Sequence, residues 1–176
     1  MSETPKVYIA CLASYNAGIL HGEWIDLEDE DIAEQINAML KASPIEDAEE
    51  WALHDHEYCG GYMSEYTGLD DLQKLSEAFN AVSQEGIEWE VFTEFCNHIG
   101  HEIEPERIET YQECYAGSAD NLEDWCHDFL DETGVMDQIP ENLRFYFDVA
   151  RYARDMEIND VFTIEHNHQT HVFWHS

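Results

Sequence analysis

Carboxylates are the chemical groups this chain offers in greatest number. Glu28/Asp31, Asp70/Asp71, Glu123/Asp124 and Asp131/Glu132 each place two acids near one another, as general acid–base catalysis requires. None stands beside a positioned nucleophile or a cofactor motif, and any acidic surface yields such pairs by chance. Ser118 lies in AGSAD rather than in a GxSxG turn. His101-Glu102-Ile103-Glu104-Pro105 approaches HExxH, but Pro105 replaces the second His and would break the helix that must carry it. No GxxxxGK[ST] or GxGxxG occurs, so no loop is built to cradle phosphates. Asp26–Asn37 is acidic enough for calcium, yet lacks the Gly and the closing Glu of an EF-hand loop.

Histidine and cysteine offer the remaining chemistry. His166, His168, His171 and His175 crowd the C-terminal tail. Alternate strand positions share a face, so His166 and His168 could pair as metal ligands if their turn stays extended. An edge strand rich in polar aromatics is the plainer reading, because no cysteine pair lies nearby and carboxylates everywhere would bind metals without selectivity. Cys59 with His54 and His56 is a weaker set. Five cysteines, an odd number without CxxC, read as buried thiols of a reduced, cytoplasmic protein. The expectation is a protein that is not an enzyme and holds neither cofactor nor metal.

Charge sets the frame for these residues. Forty Asp and Glu stand against seven Lys and Arg, for a net −33. Residues 7–40, 42–73, 75–106 and 108–143 contain no Lys or Arg at all. The acids are therefore spread along the folded chain rather than gathered in a tail. Duplex DNA carries one negative charge per about 1.7 Å, so one chain matches roughly 16 base pairs, about 56 Å of helix. Solubility or salt adaptation is the plain reading of an acidic chain. The near absence of counter-charge argues for more, because self-repulsion costs stability.

The elements that would carry these acids follow from periodicity. Lys6–Ser14 and Ile19–Leu27 read as a strand pair around the turn Tyr15–Gly18. Glu28–Ala42 reads as a helix with Ile32, Ile36, Met39 and Leu40 inward and four acids in its first turn, where the helix dipole favours them. Trp51–Tyr58 reads as a third strand. Leu69–Val82 and Ile87–Ile99 read as two helices, the aromatic stripe of the second being core rather than a cofactor box. Arg107–Tyr115 is expected as a strand and Asn121–Thr133 as a helix stopped by Gly134. Asp160–Glu165 and Thr170–Trp174 form a hairpin.

Pro140–Met156 stands apart from the rest. It holds Arg144, Arg151 and Arg154, and Pro140 is a favoured first helical residue. Read as one helix, Arg144, Asp148, Arg151 and Asp155 make an ion-pair ladder on one strip. The apolar residues then cover an arc of roughly 220°, wider than one core needs. The segment is expected to be covered twice, by its own domain and by another domain or a second copy of the chain.

The expected fold is α+β, in three small domains: 1–61, a β-sheet with a helix; 62–104, helical; and 105–176, a β-sheet with helices. No run of about 18 apolar residues occurs, so no membrane span is expected. The opening MSETPKVYIACLAS lacks the pattern of a signal peptide.

Several separated motifs, in order, resemble the ArdA antirestriction proteins: VYIACLASYNAGILHGEWIDL, EEWALHDHE, TYQECYAGSADNLEDW and, most clearly, LRFYFDVARYARDMEINDVF, which is similar to that family's antirestriction motif. His-Glu replaces a more aromatic pair in the EEWALHDHE segment, and the His-rich tail is individual. The resemblance implies a DNA mimic that inhibits type I restriction–modification enzymes by occupying the DNA groove of their methyltransferase core. It also implies an elongated shape, a C-terminal homodimer, and genes carried on mobile elements, with neither nucleic acid nor membrane as a partner. On this reading Asp26, Glu28, Asp29, Glu30, Asp31, Glu46, Asp47, Glu49, Glu50, Asp70, Asp71, Asp120, Glu123, Asp124, Asp128, Asp131 and Glu132 stand in for phosphates. Leu143, Arg144, Phe145, Tyr146, Phe147, Asp148, Val149, Arg151, Tyr152 and Arg154 form the dimer interface. Two other classes stay open: an acidic interaction or salt-adapted protein with another partner, and a metal-dependent enzyme using the His-rich tail.

Overall fold

The computed structural model describes residues 4–29, 31–61 and 63–175. The fold is α+β, and the chain packs as two compact units, Met1–Ile108 and Glu109–Ser176.

The first unit is built on β1 (Lys6–Cys11), the most apolar strand, which takes the centre of an antiparallel sheet between β2 (Gly22–Asp26) and β3 (Trp51–Glu57). The expected strand Lys6–Ser14 ends early, and Leu12–Asn16 turns into a short helix, α1. The cause is local: Ser14 is fully buried with its Oγ 2.9 Å from Ser43 Oγ, and the Leu12 amide donates to the Glu50 carbonyl at 3.0 Å. Gly18, at φ +76°, closes α1 as Ile19 N–H reaches back to the Ser14 carbonyl. β2 consequently begins at Gly22, where an added Cβ would lie 2.6 Å from the Ile9 carbonyl oxygen.

Helix α2 (Ile32–Lys41) buries Ile32, Ile36, Met39 and Leu40, the stripe its spacing predicts. It starts four residues later than expected, so Glu28 and Asp29 precede it and only Asp31 stands at its N-cap. Helices α3 (Leu69–Gln84) and α4 (Trp89–Ile99) enclose Leu72, Phe79, Val82, Phe92 and Phe95. Trp89 joins this core edge-on to Phe79 and donates its indole N–H to the Tyr58 carbonyl at 2.7 Å. Burying such a ring contributes about 1.5–3 kcal/mol.

Arg107–Cys114 is a helix, α5, where a strand was expected. Its inward residues are Tyr111 and Cys114, three apart, a spacing that shares one face of a helix but would fall on opposite faces of a strand. Two contacts start it: the Ile108 amide bonds the Pro105 carbonyl, and Arg107 binds the Glu104 carboxylate at 2.8 Å.

In the second unit, β4 (Tyr115–Ala119), β5 (Val161–His166) and β6 (Gln169–Trp174) form an antiparallel sheet in the order β4-β6-β5. Helix α6 (Leu122–Glu132) and helix α8 (Val149–Asn159) pack on it around Trp125, Cys126, Ala153, Met156, Val161 and Val172. The expected single helix over 140–156 is broken. It consists of a one-turn α7 (Glu141–Arg144), a link at 145–148, and α8. Asp148 is the reason: its carboxylate accepts the Arg151 amide at 2.9 Å and caps a new helix. The Arg144–Asp148–Arg151–Asp155 ladder therefore does not form. Arg144 instead binds Asp137 at 3.0 Å and the Ile139 carbonyl at 3.1 Å. Among the described residues no helix is long and apolar enough to cross a membrane.

Candidate functional site: an exposed carboxylate surface

The described acidic side chains are all exposed except Asp26, Glu90 and Glu104, which are half-buried. Cations are assigned with the same economy. Lys6 lies 3.9 Å from Asp26 and Arg107 2.8 Å from Glu104, so two of the partly desolvated carboxylates receive a positive partner. Pairing is worth most where water is least available. Among the exposed acids, Asp137 takes Arg144 at 3.0 Å and Asp131 lies 3.5 Å from His127, and most of the others present their charge to solvent.

The turn between β2 and α2 shows how that charge is held in place. Asp26 Oδ1 accepts the Glu28 amide at 3.1 Å, and the Glu28 carbonyl accepts Asn80 Nδ2 at 3.4 Å from α3. Gln35, one turn into α2, donates from one amide nitrogen to Asp29 Oδ2 at 3.1 Å and to Asp31 Oδ1 at 2.8 Å. Two carboxylates are thus fixed by a neutral amide, which orients them without cancelling their charge. Glu30 lies outside the described residues.

The same device recurs elsewhere. Asn121 caps α6 by accepting the Asp124 amide at 2.9 Å and donating to Asp124 Oδ2 at 2.6 Å. Glu123 and Asp124 occupy the first turn of α6, where its dipole favours them, and Asp120 precedes it. Asp128, Asp131 and Glu132 are exposed further along α6, with His127 Nδ1 3.5 Å from Asp131. Asp70 and Asp71 open α3, Asp71 accepting the Gly68 amide at 3.1 Å. Glu46, Asp47, Glu49 and Glu50 are exposed on the loop before β3, with Asp47 in the left-handed region at φ +56°.

The amides are what sequence reasoning missed. Gln35 and Asn121 are unremarkable in an acid count. Their signal was spacing: Asp31 to Gln35 is i to i+4, and Asn121 to Asp124 has the interval of an N-cap and its third residue.

The antirestriction-like segment is arranged differently. Leu143 and Arg144 lie on α7, Phe145, Tyr146 and Phe147 on the link, and Val149, Arg151, Tyr152 and Arg154 on α8 behind the Asp148 cap. Phe145 is 90% exposed and Tyr146 78%, and their rings meet edge to face. Val149 and Tyr152 pack on the second unit's core, and Phe147 lies against Tyr152. Arg151 and Arg154 are exposed and make no ion pair with any described residue.

The histidine and cysteine candidates do not converge. Asn167 and His168 both have positive φ, so they form the tight turn of the β5–β6 hairpin and His168 does not continue a strand from His166. His171 is buried with Nδ1 3.4 Å from the Tyr115 hydroxyl, and His175 lies against Phe162. Among the described residues no group of three or more His, Cys, Asp or Glu is placed to hold a metal ion. All five cysteines are buried. Burial pushes the Cys59 and Cys96 thiols up to about 12 and Cys126 to about 11. At Cys11, burial works against the thiolate, but hydrogen bonds with Ser43 and Ser14 outweigh it and draw the thiol down to about 7. Its exposure is 0%, so it meets no substrate.

The family model described as antirestriction protein (ArdA) matches residues 7–170. No curated protein matches the chain.

Proposed function

The chain belongs to the ArdA antirestriction family, and from that premise we propose that it is a DNA mimic that occupies the DNA-binding groove of type I restriction–modification enzymes. The family is one of inhibitors, so its partner is a restriction enzyme and the chain is read as a binding protein rather than a catalyst. The observation that carries the finer reading is the treatment of the Asp26–Asp31 turn. Exposed Asp29 and Asp31 are positioned by Gln35, and half-buried Asp26 accepts the Glu28 amide, so oriented negative charge remains available. A groove whose cations pair with DNA phosphates can pair with such an array instead, and salt screens both attractions.

The proposed organisation has three parts, 1–61, 62–104 and 105–176, in a homodimer joined through the C-terminal part, in the cytoplasm where restriction acts. What supports a dimer is the pairing of exposed Phe145 and Tyr146 with exposed Arg151 and Arg154 in a chain of net charge −33. Two copies would carry twice that charge, and arginines at the joint would lessen the repulsion.

A restriction assay with a type I enzyme tests the reading. Added duplex DNA should compete with the protein, and inhibition should fall steeply as salt is raised to about 0.5 M, where the Debye length drops to roughly 4 Å. Inhibition that is indifferent to both would end the mimicry account and favour a different, non-groove contact with the enzyme.

A further inference from the structure

Strand β3 carries one residue more than the stretch of β1 opposite it. Tyr8 pairs with Asp55 and Ile9 with Leu53, so His54 sits in a β-bulge without a partner on β1. Bulges re-aim side chains, and here His54 is exposed with its ring edge-on to Tyr15 of α1, centroids 4.9 Å apart at 84°. The bend at 64–67 faces this pair. It is held by Ser64, whose Oγ accepts the Tyr66 amide at 3.2 Å and whose carbonyl accepts the Thr67 amide at 2.9 Å. Together they line an open surface cleft of about 570 Å³, with Tyr15, His54, Asp55, His56, Glu65 and Tyr66 among its walls. Asp55 Oδ1 accepts the His56 amide at 2.8 Å, which fixes the carboxylate's direction. The ring of Tyr66 is 86% exposed.

We propose that this cleft receives one arginine side chain of the partner protein. Aromatic faces attract a cation through their quadrupole, and a guanidinium is flat, weakly hydrated and able to stack while its N–H groups bind a carboxylate. The cleft offers both halves of that recognition, two tyrosine rings and the carboxylates of Asp55 and Glu65. It is a discrete anchor, unlike the distributed charge of the 26–31 turn. The identity of the partner rests on the antirestriction reading, since a groove that binds DNA is rich in arginine. The cleft's chemistry does not rest on it.

Two measurements separate the cases. In the first, the free protein is titrated with N-acetyl-arginine methylamide, and with its citrulline counterpart, while the His54, Tyr15 and Tyr66 resonances are followed by NMR. The arginine compound should shift them and the uncharged isostere should not. Equal responses, or none, would overturn the proposal whatever the enzyme does. In the second, Tyr66→Ala is compared with Tyr66→Phe in the restriction assay, with thermal melting as a folding control. Losing the ring should weaken inhibition roughly five-fold, the size of one exposed cation–π contact, and Tyr66→Phe should retain it. Wild type that inhibits together with an equally potent Tyr66→Ala sinks the pocket and leaves the mimicry reading standing. Wild type that fails to inhibit sinks the mimicry reading, and the NMR titration alone then decides the pocket.

Discussion

Two charged stretches, the Asp26–Asp31 turn and the 140–156 segment, handle charge in opposite ways. In the first, Asp29 and Asp31 share the amide of Gln35, and Lys6 goes to half-buried Asp26. In the second, Arg144 closes on Asp137 and on a backbone carbonyl, while Phe145 and Tyr146 are left bare. An amide fixes a carboxylate and keeps its field, whereas a guanidinium fixes it and cancels the field. The first region leaves Glu28, Asp29 and Asp31 exposed with no cation paired to them among the described residues. The other pairs Arg144, leaves Arg151 and Arg154 exposed and also exposes two aromatic rings, a mix of cation and apolar surface that the first region lacks.

The largest effects should come from the second region, where two neighbouring substitutions separate packing from association. Val149→Asp places a charge against the core around Trp125 and Met156, and should destabilise the second unit by about 2–4 kcal/mol, seen as a lowered midpoint in urea. Phe145→Asp, at a ring 90% exposed, should leave that midpoint unchanged and instead raise the dimer dissociation constant by about a hundred-fold, the scale of losing a buried aromatic anchor. Sedimentation velocity reads the difference. Folded, fully dimeric Phe145→Asp protein would move the interface away from the link.

In the first region the effect should be smaller and should depend on salt. Converting Glu28, Asp29, Glu30 and Asp31 together to their amides should weaken inhibition about ten-fold at low salt, a few screened contacts each worth a fraction of that, and much less at high salt. Gln35→Lys sharpens the test. The new ammonium would reach Asp29 and Asp31 as the amide does, but would remove net charge. A loss of about two- to three-fold with unchanged melting would show that the field matters beyond the geometry. Enhanced inhibition would show that order alone was limiting.

The legible parts of the chain were those in which a core dictates a period. The inward residues of α2, α3, α4 and α6 stand where i, i+3, i+4 spacing puts them, because burial leaves little choice. The illegible parts were decided by single polar contacts. Ser14 meeting Ser43 ends β1 early, Glu104 and Pro105 start α5 where a strand was expected, and Asp148 cuts one helix into two. Each contact joins side chains or carbonyls whose alternatives are nearly isoenergetic over a few residues. The acids of the candidate surface were visible in the sequence. Gln35, which orders two of them, was not visible as a member of the surface, because its role exists only once α2 begins at Ile32.

The smallest expected effect is also the most discriminating between a surface and a site. Asp29 is exposed and holds one of the two hydrogen bonds from Gln35 Nε2. Asp29→Asn removes one charge from a chain of −33 and leaves an oxygen that still accepts the amide. An isolated exposed charge is screened within about 10 Å at 0.1 M salt and contributes little on its own. Inhibition should therefore change by less than about two-fold, and the neighbouring Asp31 should retain its bond to Gln35. A groove that reads a phosphate track tolerates the loss of one phosphate. A groove that reads one carboxylate does not, so a ten-fold loss from Asp29→Asn alone would replace the distributed surface with a discrete contact at the end of β2.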